Sequence, residues 1–186
     1  MKFLVHSLLL VAFAALAGAA WVAHRPAAVP QAGEPAKRPR DVLDELKQAA
    51  IKRSAVFEIS EQELNLHVAR VLGSSTRPPL DRWTRFSRLA VALRPEVLEA
   101  TLVWDIGGAE RTVSLRFQAA RGEEAFQVEL VGGSYGRLNV PRGLLRPLQP
   151  LLTQLGMVFG EEIRALFQMN QVRVAQGRLV LDPRFP

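Results

Sequence analysis

Few residues in this chain have the types and spacing that catalysis needs. Of its three histidines, His6 and His24 fall within the first 24 residues, so His67 is the one imidazole available as a base in a folded domain. No serine or aspartate stands near it at the spacing of a catalytic triad. As a lone imidazole beside Leu64 and Val71, His67 is predicted to be a helix-face residue and not a ligand.

Other catalytic patterns are also missing. The chain has no G-x-S-x-G, no phosphate-binding loop and no H-E-x-x-H, and the adjacent acids at 123–124 and 161–162 are typical of solvated turns and helix surfaces. The absence of cysteine excludes disulfides, thiolate metal sites and a cysteine nucleophile. We therefore predict that the protein is not an enzyme and holds no metal or cofactor. An enzyme would need His67 in a cleft or a cluster of buried carboxylates.

Arginines alternate with aromatic residues shortly after residue 80. The cluster consists of Arg82, Trp83, Arg85 and Phe86. Such a cluster can bind single-stranded nucleic acid or lie against lipid phosphates, and the formal net charge of +6 permits both. It can also be a plain arginine-rich loop and strand edge. Because an apolar segment lies at the N-terminus, we predict contact of these four residues with a membrane surface and no nucleic-acid partner.

That apolar segment runs over residues 3–23, 21 residues without a formal charge. It is long enough to span a bilayer core of about 30 Å. Small residues around Ala17 also offer signal-peptide cleavage sites. We favour an uncleaved anchor, because the apolar run continues through Trp21 and Val22. Residues 1–24 are thus predicted to be a membrane anchor or signal segment, and the basic start at Lys2 favours a domain on the periplasmic or extracytoplasmic side.

The rest of the chain divides into a Pro/Ala-rich linker, 25–40, and a single α+β domain, 41–186. In the domain, Ser60 and Glu63 form a capping box that predicts a helix start. Alternating apolar and polar residues from 87 to 140 predict an antiparallel β-meander with one dry and one wet face, broken or bulged at 132–133. A closing hairpin is predicted over 172–181.

The longest helical pattern outside the N-terminus covers residues 150–170. Its apolar stripe consists of Leu152, Leu155, Phe159, Ile163 and Leu166. Gly156 and Gly160 lie beside the stripe, although each costs about 1 kcal/mol against alanine inside a helix. Tight packing against another backbone would compensate for this cost, and so would open space for a ligand. The predicted fold is α+β, an antiparallel β-meander curved around this long amphipathic C-terminal helix.

Three runs carry a resemblance to a known superfamily: FEISEQELNLHVARVL, GRLNVPRGLL and QVRVAQGRLVL. With the meander and the long helix, they resemble small membrane-anchored bacterial proteins related to the tubular lipid-binding (TULIP, BPI-like) superfamily, over most of 56–182. The resemblance implies that acyl chains bind between sheet and helix, with Gly156 and Gly160 leaving room. The implied groove would be lined by Leu102, Trp104, Leu115, Phe117, Phe126, Phe159 and Ile163. Alternatively, these residues simply fill the core.

We therefore expect a membrane-tethered envelope protein that binds a lipid or other apolar ligand between sheet and helix, with membrane lipid as its partner. The alternative is a structural or assembly factor of a membrane protein complex, with a filled core and a membrane protein as its partner.

Overall fold

The computed structural model describes residues 2–29, 41–53, 56–74, 84–121 and 126–184. The helices are α1 (Lys2–His24), α2 (Val42–Lys52), α3 (Glu61–Ser74), α4 (Gln149–Val158) and α5 (Gly160–Phe167), with a 3-10 helix at Arg142–Leu148. The strands are β1 (Phe57–Ser60), β2 (Thr84–Arg94), β3 (Val97–Ile106), β4 (Ala109–Arg121), β5 (Phe126–Tyr135), β6 (Leu138–Val140), β7 (Gln171–Ala175) and β8 (Arg178–Asp182).

The strands form two antiparallel sheets. One is the meander β2-β3-β4-β5-β6 and the other has the order β1-β8-β7. The α+β class, the meander and the closing β7–β8 hairpin are therefore confirmed. The pairing of β1 with β8, Phe57 opposite Leu181, was not predicted, because β1 has only four residues and its partner lies at the far end of the chain.

Of the break or bulge predicted at 132–133, the structure shows a bulge, with the extra residue at Val131, directly before the two glycines. Arg116 of β4 pairs with Gly132, whereas the next residue, Phe117, pairs with Leu130, so β5 has one extra residue here. A Cβ at Gly133 would lie 2.6 Å from the Ser114 carbonyl oxygen and 3.0 Å from Leu145 Cδ1. The missing side chain therefore lets the 3-10 helix pack directly onto the bulged strand.

The long continuous helix predicted over 150–170 is not observed. Its start agrees with the sequence, since Pro150 lies in the first turn of α4. The backbone leaves helical geometry at Phe159, with φ −96° and ψ 24°, and α5 then begins at Gly160. Hydrogen bonds of 2.9 Å from Phe159 N–H to Leu155 O and from Ile163 N–H to Phe159 O still span the break. The break therefore lies directly before Gly160, and glycine is a poor helix former.

The meander packs its dry face on two hydrophobic clusters. The first cluster joins α2, α3 and α5 to the three-stranded sheet and to the end of β2, around Leu46, Leu93 and Leu181. The second joins β3 and β4 to the 3-10 helix and α4, and consists of Leu102, Trp104, Val113, Leu115, Leu145 and Leu151. The helices therefore cover the sheet in two patches, with the α4–α5 break between them.

The sequence predicts that the opposite face of the meander is exposed to solvent, but part of this face is buried. Val103, Thr112 and Ser114 are buried there, and the hydroxyls of Thr101 and Ser114 lie 2.9 Å apart. The hydroxyls of Thr101 and Ser114 satisfy each other, and the Thr112 hydroxyl accepts a hydrogen bond from Ala27 N–H. A pattern of alternating polarity does not distinguish such buried hydroxyls from a solvated face.

Helix α3 closes the free edge of β2. The amide of Asn65 pairs with both backbone groups of Val91, accepting from its N–H and donating to its C=O at 2.7 Å each. One turn earlier, the Glu61 carboxylate accepts from Leu93 N–H at 2.7 Å. The Leu93 carbonyl oxygen accepts from Gly177 N–H, in the β7–β8 turn, at 2.9 Å. An edge strand would otherwise expose these groups unpaired, so side chains of α3 replace a missing neighbour strand.

The start of α3 is fixed by the capping box predicted from the sequence. Ser60 N–H donates to the Glu63 carboxylate at 2.9 Å, and Glu63 N–H donates to the Ser60 hydroxyl at 3.2 Å. This confirmed cap sets the position along the helix at which Glu61 and Asn65 meet β2. The run from Ile59 to Asn65 therefore has a structural role at nearly every position.

Candidate functional site: an apolar face on α4 and α5

One end of the dry face of β4 and β5 is incompletely covered. Phe117 pairs with Leu130, and two residues further Ala119 pairs with Val128. Phe117 and Leu130 are half-buried against the second cluster, whereas Val128 on the same face is 54% exposed. Apolar residues at the end of these strands are therefore available at the surface.

The helices present a second open apolar surface, which we call the glycine face: Leu152, Gly156, Phe159, Gly160, Ile163 and Phe167. These residues recur at spacings of three and four and so lie on one side of α4 and α5. A Cβ added at Gly156 or Gly160 would meet no described atom within 4 Å, so open space and not tight packing surrounds both glycines. Ile163 and Phe167 are 36% and 52% exposed. Leu152 packs against the second cluster, as Phe117 and Leu130 do.

The predicted ligand-lining residues separate into a core group and a surface group. Leu102, Trp104 and Leu115 are buried under Leu145 and Leu151 in the second cluster. Such residues are in mutual contact, which leaves them as core side chains in this structure.

The other four lie further out. Phe117 is half-buried at the edge of the second cluster, and Phe159 is half-buried against the first cluster. Ile163 is on the glycine face. Phe126 is the first residue of β5, and its side chain is outside the described part of the structure. The structure therefore brings together Leu102, Trp104, Leu115 and Phe117, and places Phe159 and Ile163 on a different surface.

The residues predicted to contact a membrane surface are described only in part. Arg82 and Trp83 lie outside the described residues. Arg85 is in β2 opposite Asp105, at the end of the meander where β3 finishes. Phe86 packs edge-to-face on Trp104, with ring centroids 6.3 Å apart and planes at 75°. In this structure the Phe86 ring therefore belongs to the edge of the core.

A buried histidine–carboxylate pair was missed by the sequence analysis. His67 is only 5% exposed, and its Nε2 lies 2.9 Å from Glu162 Oε1, whose side chain is 14% exposed. His67 Nδ1 is buried and has no hydrogen-bond partner among the described residues. The two residues are 95 positions apart, and adjacent acids on a helix usually face solvent, so no local signal points to the pair. The pair joins α3 to α5 inside the first cluster.

The neighbouring Glu161 behaves as the sequence suggested for both acids. It is exposed and pairs at 2.5 Å with Lys47 of α2. The hydrogen bond from Lys47 lowers the pKa of the Glu161 carboxyl below its ordinary value, and the same contact raises the pKa of Lys47. Two consecutive glutamates thus connect α5 to two different helices. Glu161 contacts α2 at the surface, and Glu162 contacts α3 in the interior. Among the described residues, no group of three His, Cys, Asp or Glu side chains could hold a metal ion.

We expect Glu162→Ala to lower the free energy of unfolding by about 1–3 kcal/mol, because it leaves buried His67 without its partner. Glu161→Ala is the matched control, and its loss should be clearly smaller, since it removes an exposed ion pair that solvent screens. Chemical denaturation of the full chain in detergent measures both. Equal losses for the two variants would show that the His67–Glu162 pair contributes no more than a surface contact.

Gly156→Ala should raise stability by up to about 1 kcal/mol, since alanine favours helix and the added methyl group meets open space. Gly133→Ala is the opposite case and should destabilise, because its Cβ would meet the Ser114 carbonyl oxygen at 2.6 Å. Thermal unfolding of both variants tests this contrast. A destabilised Gly156→Ala protein would mean that the glycine face is closely packed.

Comparison of the chain with protein-family models gives no match, and comparison with curated protein sequences gives no significant match. The resemblance to the tubular lipid-binding superfamily therefore stays a prediction from the sequence motifs.

Proposed function

We propose that this protein is a membrane-tethered envelope protein whose glycine face binds a lipid acyl chain or another apolar ligand. The observation that carries the proposal is the open space at Gly156 and Gly160, bordered by Ile163, which is 36% exposed. A contiguous apolar patch on a protein surface is typical of a site that binds an apolar ligand or partner. An acyl chain fits this surface because it needs apolar contacts and no hydrogen bonds.

The position of this ligand follows from the filled core. Leu102 and Leu115 are buried beneath α4, so a ligand would lie over the glycine face and against Phe117 and Val128, where the sheet is uncovered. We propose that the sheet curves toward α4 and α5 along this border. The groove is thus displaced outward from the one that the resemblance implies.

The membrane tether in this proposal is α1. Its segment Val5–His24 is long and apolar enough to cross a membrane, and its apolar window contains no buried residue. A helix of this kind can also be a signal sequence. We propose an uncleaved anchor with the domain on the extracytoplasmic side, a function in lipid binding without catalysis, and membrane lipid as the partner.

The alternative proposal is a structural or assembly factor of a membrane protein complex. The filled second cluster favours it, because a protein that acts through its surface needs no internal cavity. In that case the glycine face would receive an apolar helix of a membrane protein, to which small residues permit close approach.

Photo-crosslinking in proteoliposomes tests the lipid proposal. A phospholipid with a diazirine in its acyl chain should label peptides from 149–167 in addition to α1, since the glycine face is predicted to hold an acyl chain. Gly156→Leu should lower labelling of these peptides by filling the space. Gly143→Leu is the matched control, because a Cβ at Gly143 also meets nothing within 4 Å but lies outside the glycine face.

Labelling confined to α1 in the unmodified protein would contradict lipid binding at the glycine face. If the same region instead crosslinks to a co-purifying membrane protein, and Gly156→Leu abolishes that product, the assembly-factor alternative is favoured.

A further inference from the structure

The C-terminal end of α1 is fixed to the five-stranded sheet. Arg111 Nη1 donates to the His24 carbonyl oxygen at 3.0 Å, and Ala27 N–H donates to the Thr112 hydroxyl at 3.0 Å. The His24 ring lies edge-on to Tyr135, with centroids 6.5 Å apart. The first residues of the predicted linker 25–40 are therefore attached to the domain and are not a free tether.

The β5–β6 turn is shaped to receive this segment. Gly136 has φ +55°, and a Cβ there would lie 2.6 Å from the Arg25 carbonyl oxygen and nearer still to that of Ala23. The Gly136 N–H donates to the Thr112 carbonyl oxygen at 2.8 Å, which holds the turn in place. Backbone therefore packs directly on backbone where α1 meets the domain.

These contacts fix how far the domain stands from a bilayer. The span Val5–His24 has 20 residues. At about 1.5 Å per residue it is about 30 Å long, which matches the hydrocarbon core and places His24 at its boundary. The headgroup layer on each side is about 5–7 Å thick. Groups in direct contact with residues 23–25 must then lie inside that layer.

The side chains at this end of the sheet have interfacial chemistry. The Arg25 guanidinium lies 4.9 Å from the ring centroid of Trp21, Arg137 is exposed in the β5–β6 turn, and Leu138 is 44% exposed. Tryptophan, tyrosine and arginine are enriched at the membrane–water boundary.

Two acidic residues lie at the same end. Asp105 and Glu110 flank the β3–β4 turn, and Asp105 accepts a hydrogen bond from Gly108 N–H at 2.7 Å. They are outnumbered by the arginines Arg25, Arg111 and Arg137.

We propose that this end of the meander, which we call the rim (Arg111, Tyr135, Gly136, Arg137 and Leu138), is seated in the lipid headgroup layer. Arg25 and Arg137 are then within reach of lipid phosphates. Leu138 is within reach of the acyl chains next to the headgroups. The inference rests on the proposed anchoring by α1 and is independent of any ligand on the glycine face. Arg85 pairs with Asp105 and so lies at the same end of the sheet as the rim.

Site-specific fluorescence tests the seating, and the absence of cysteine makes single labelling straightforward. Leu138→Cys and the control Gln127→Cys each carry a small fluorophore in proteoliposomes containing headgroup spin-labelled lipid. Gln127 is exposed and lies eight residues before Tyr135 in β5, about 26 Å away along the strand. We expect loss of most of the fluorescence at 138 and little loss at 127.

A second variant tests the contact that holds the rim in place. Gly136→Ala, combined with Leu138→Cys, should reduce quenching at 138, because the added methyl group collides with the end of α1. The inference would be overturned if, without the Gly136→Ala change, the fluorophores at 138 and 127 were quenched equally. It would also be overturned if Gly136→Ala left the quenching at 138 undiminished. Release of the chain from vesicles at alkaline pH would overturn the anchoring as well. If the chain stays in the vesicle membrane but the fluorophore at 138 is not quenched, the position of the rim in the headgroup layer is overturned and the anchoring by α1 is not.

Discussion

The architecture depends on how helix α3 satisfies the free edge of β2. Asn65 takes the place of a strand residue opposite Val91, and Glu61 does the same for Leu93. Because Gly177 also bonds to Leu93, the edge of the five-stranded sheet becomes the point where the three-stranded sheet attaches. Buried backbone groups that lose such partners cost about 1–3 kcal/mol each. Helix α3 and the hydrogen bonds from Gly177 to Leu93 and from Glu96 to Val174 therefore join the two sheets.

The same helix determines where the C-terminal helices lie. His67, on α3, holds Glu162 of α5 in the core, while Glu161 binds Lys47 of α2 in solvent. The break at Phe159 separates α5, which packs on the first cluster, from α4, which packs on the second. Beside this break, no described atom lies within 4 Å of a Cβ at Gly156 or Gly160. The proposed binding surface therefore lies where the two helices turn from one cluster to the other.

The sequence predicts those features that local patterns encode. The capping box at Ser60, the strand alternation, the bulge at 132–133 and the β7–β8 hairpin all follow from residues close together in the chain. Contacts across long separations have no such signal: Asn65 with Val91, His67 with Glu162, and β1 with β8. The helix break at Phe159 also escapes prediction, since hydrophobic periodicity continues through it. For the site, the glycines were recognised, but whether they faced packing or open space required coordinates.

The most direct test of this account is amide hydrogen exchange at Val91 and Leu93, whose N–H groups point away from β3 toward Asn65 and Glu61. If α3 seals the edge of β2, these two amides exchange as slowly as the central amides of β3. Exchange at the fast rate of an open sheet edge would contradict the proposed joint between the two sheets.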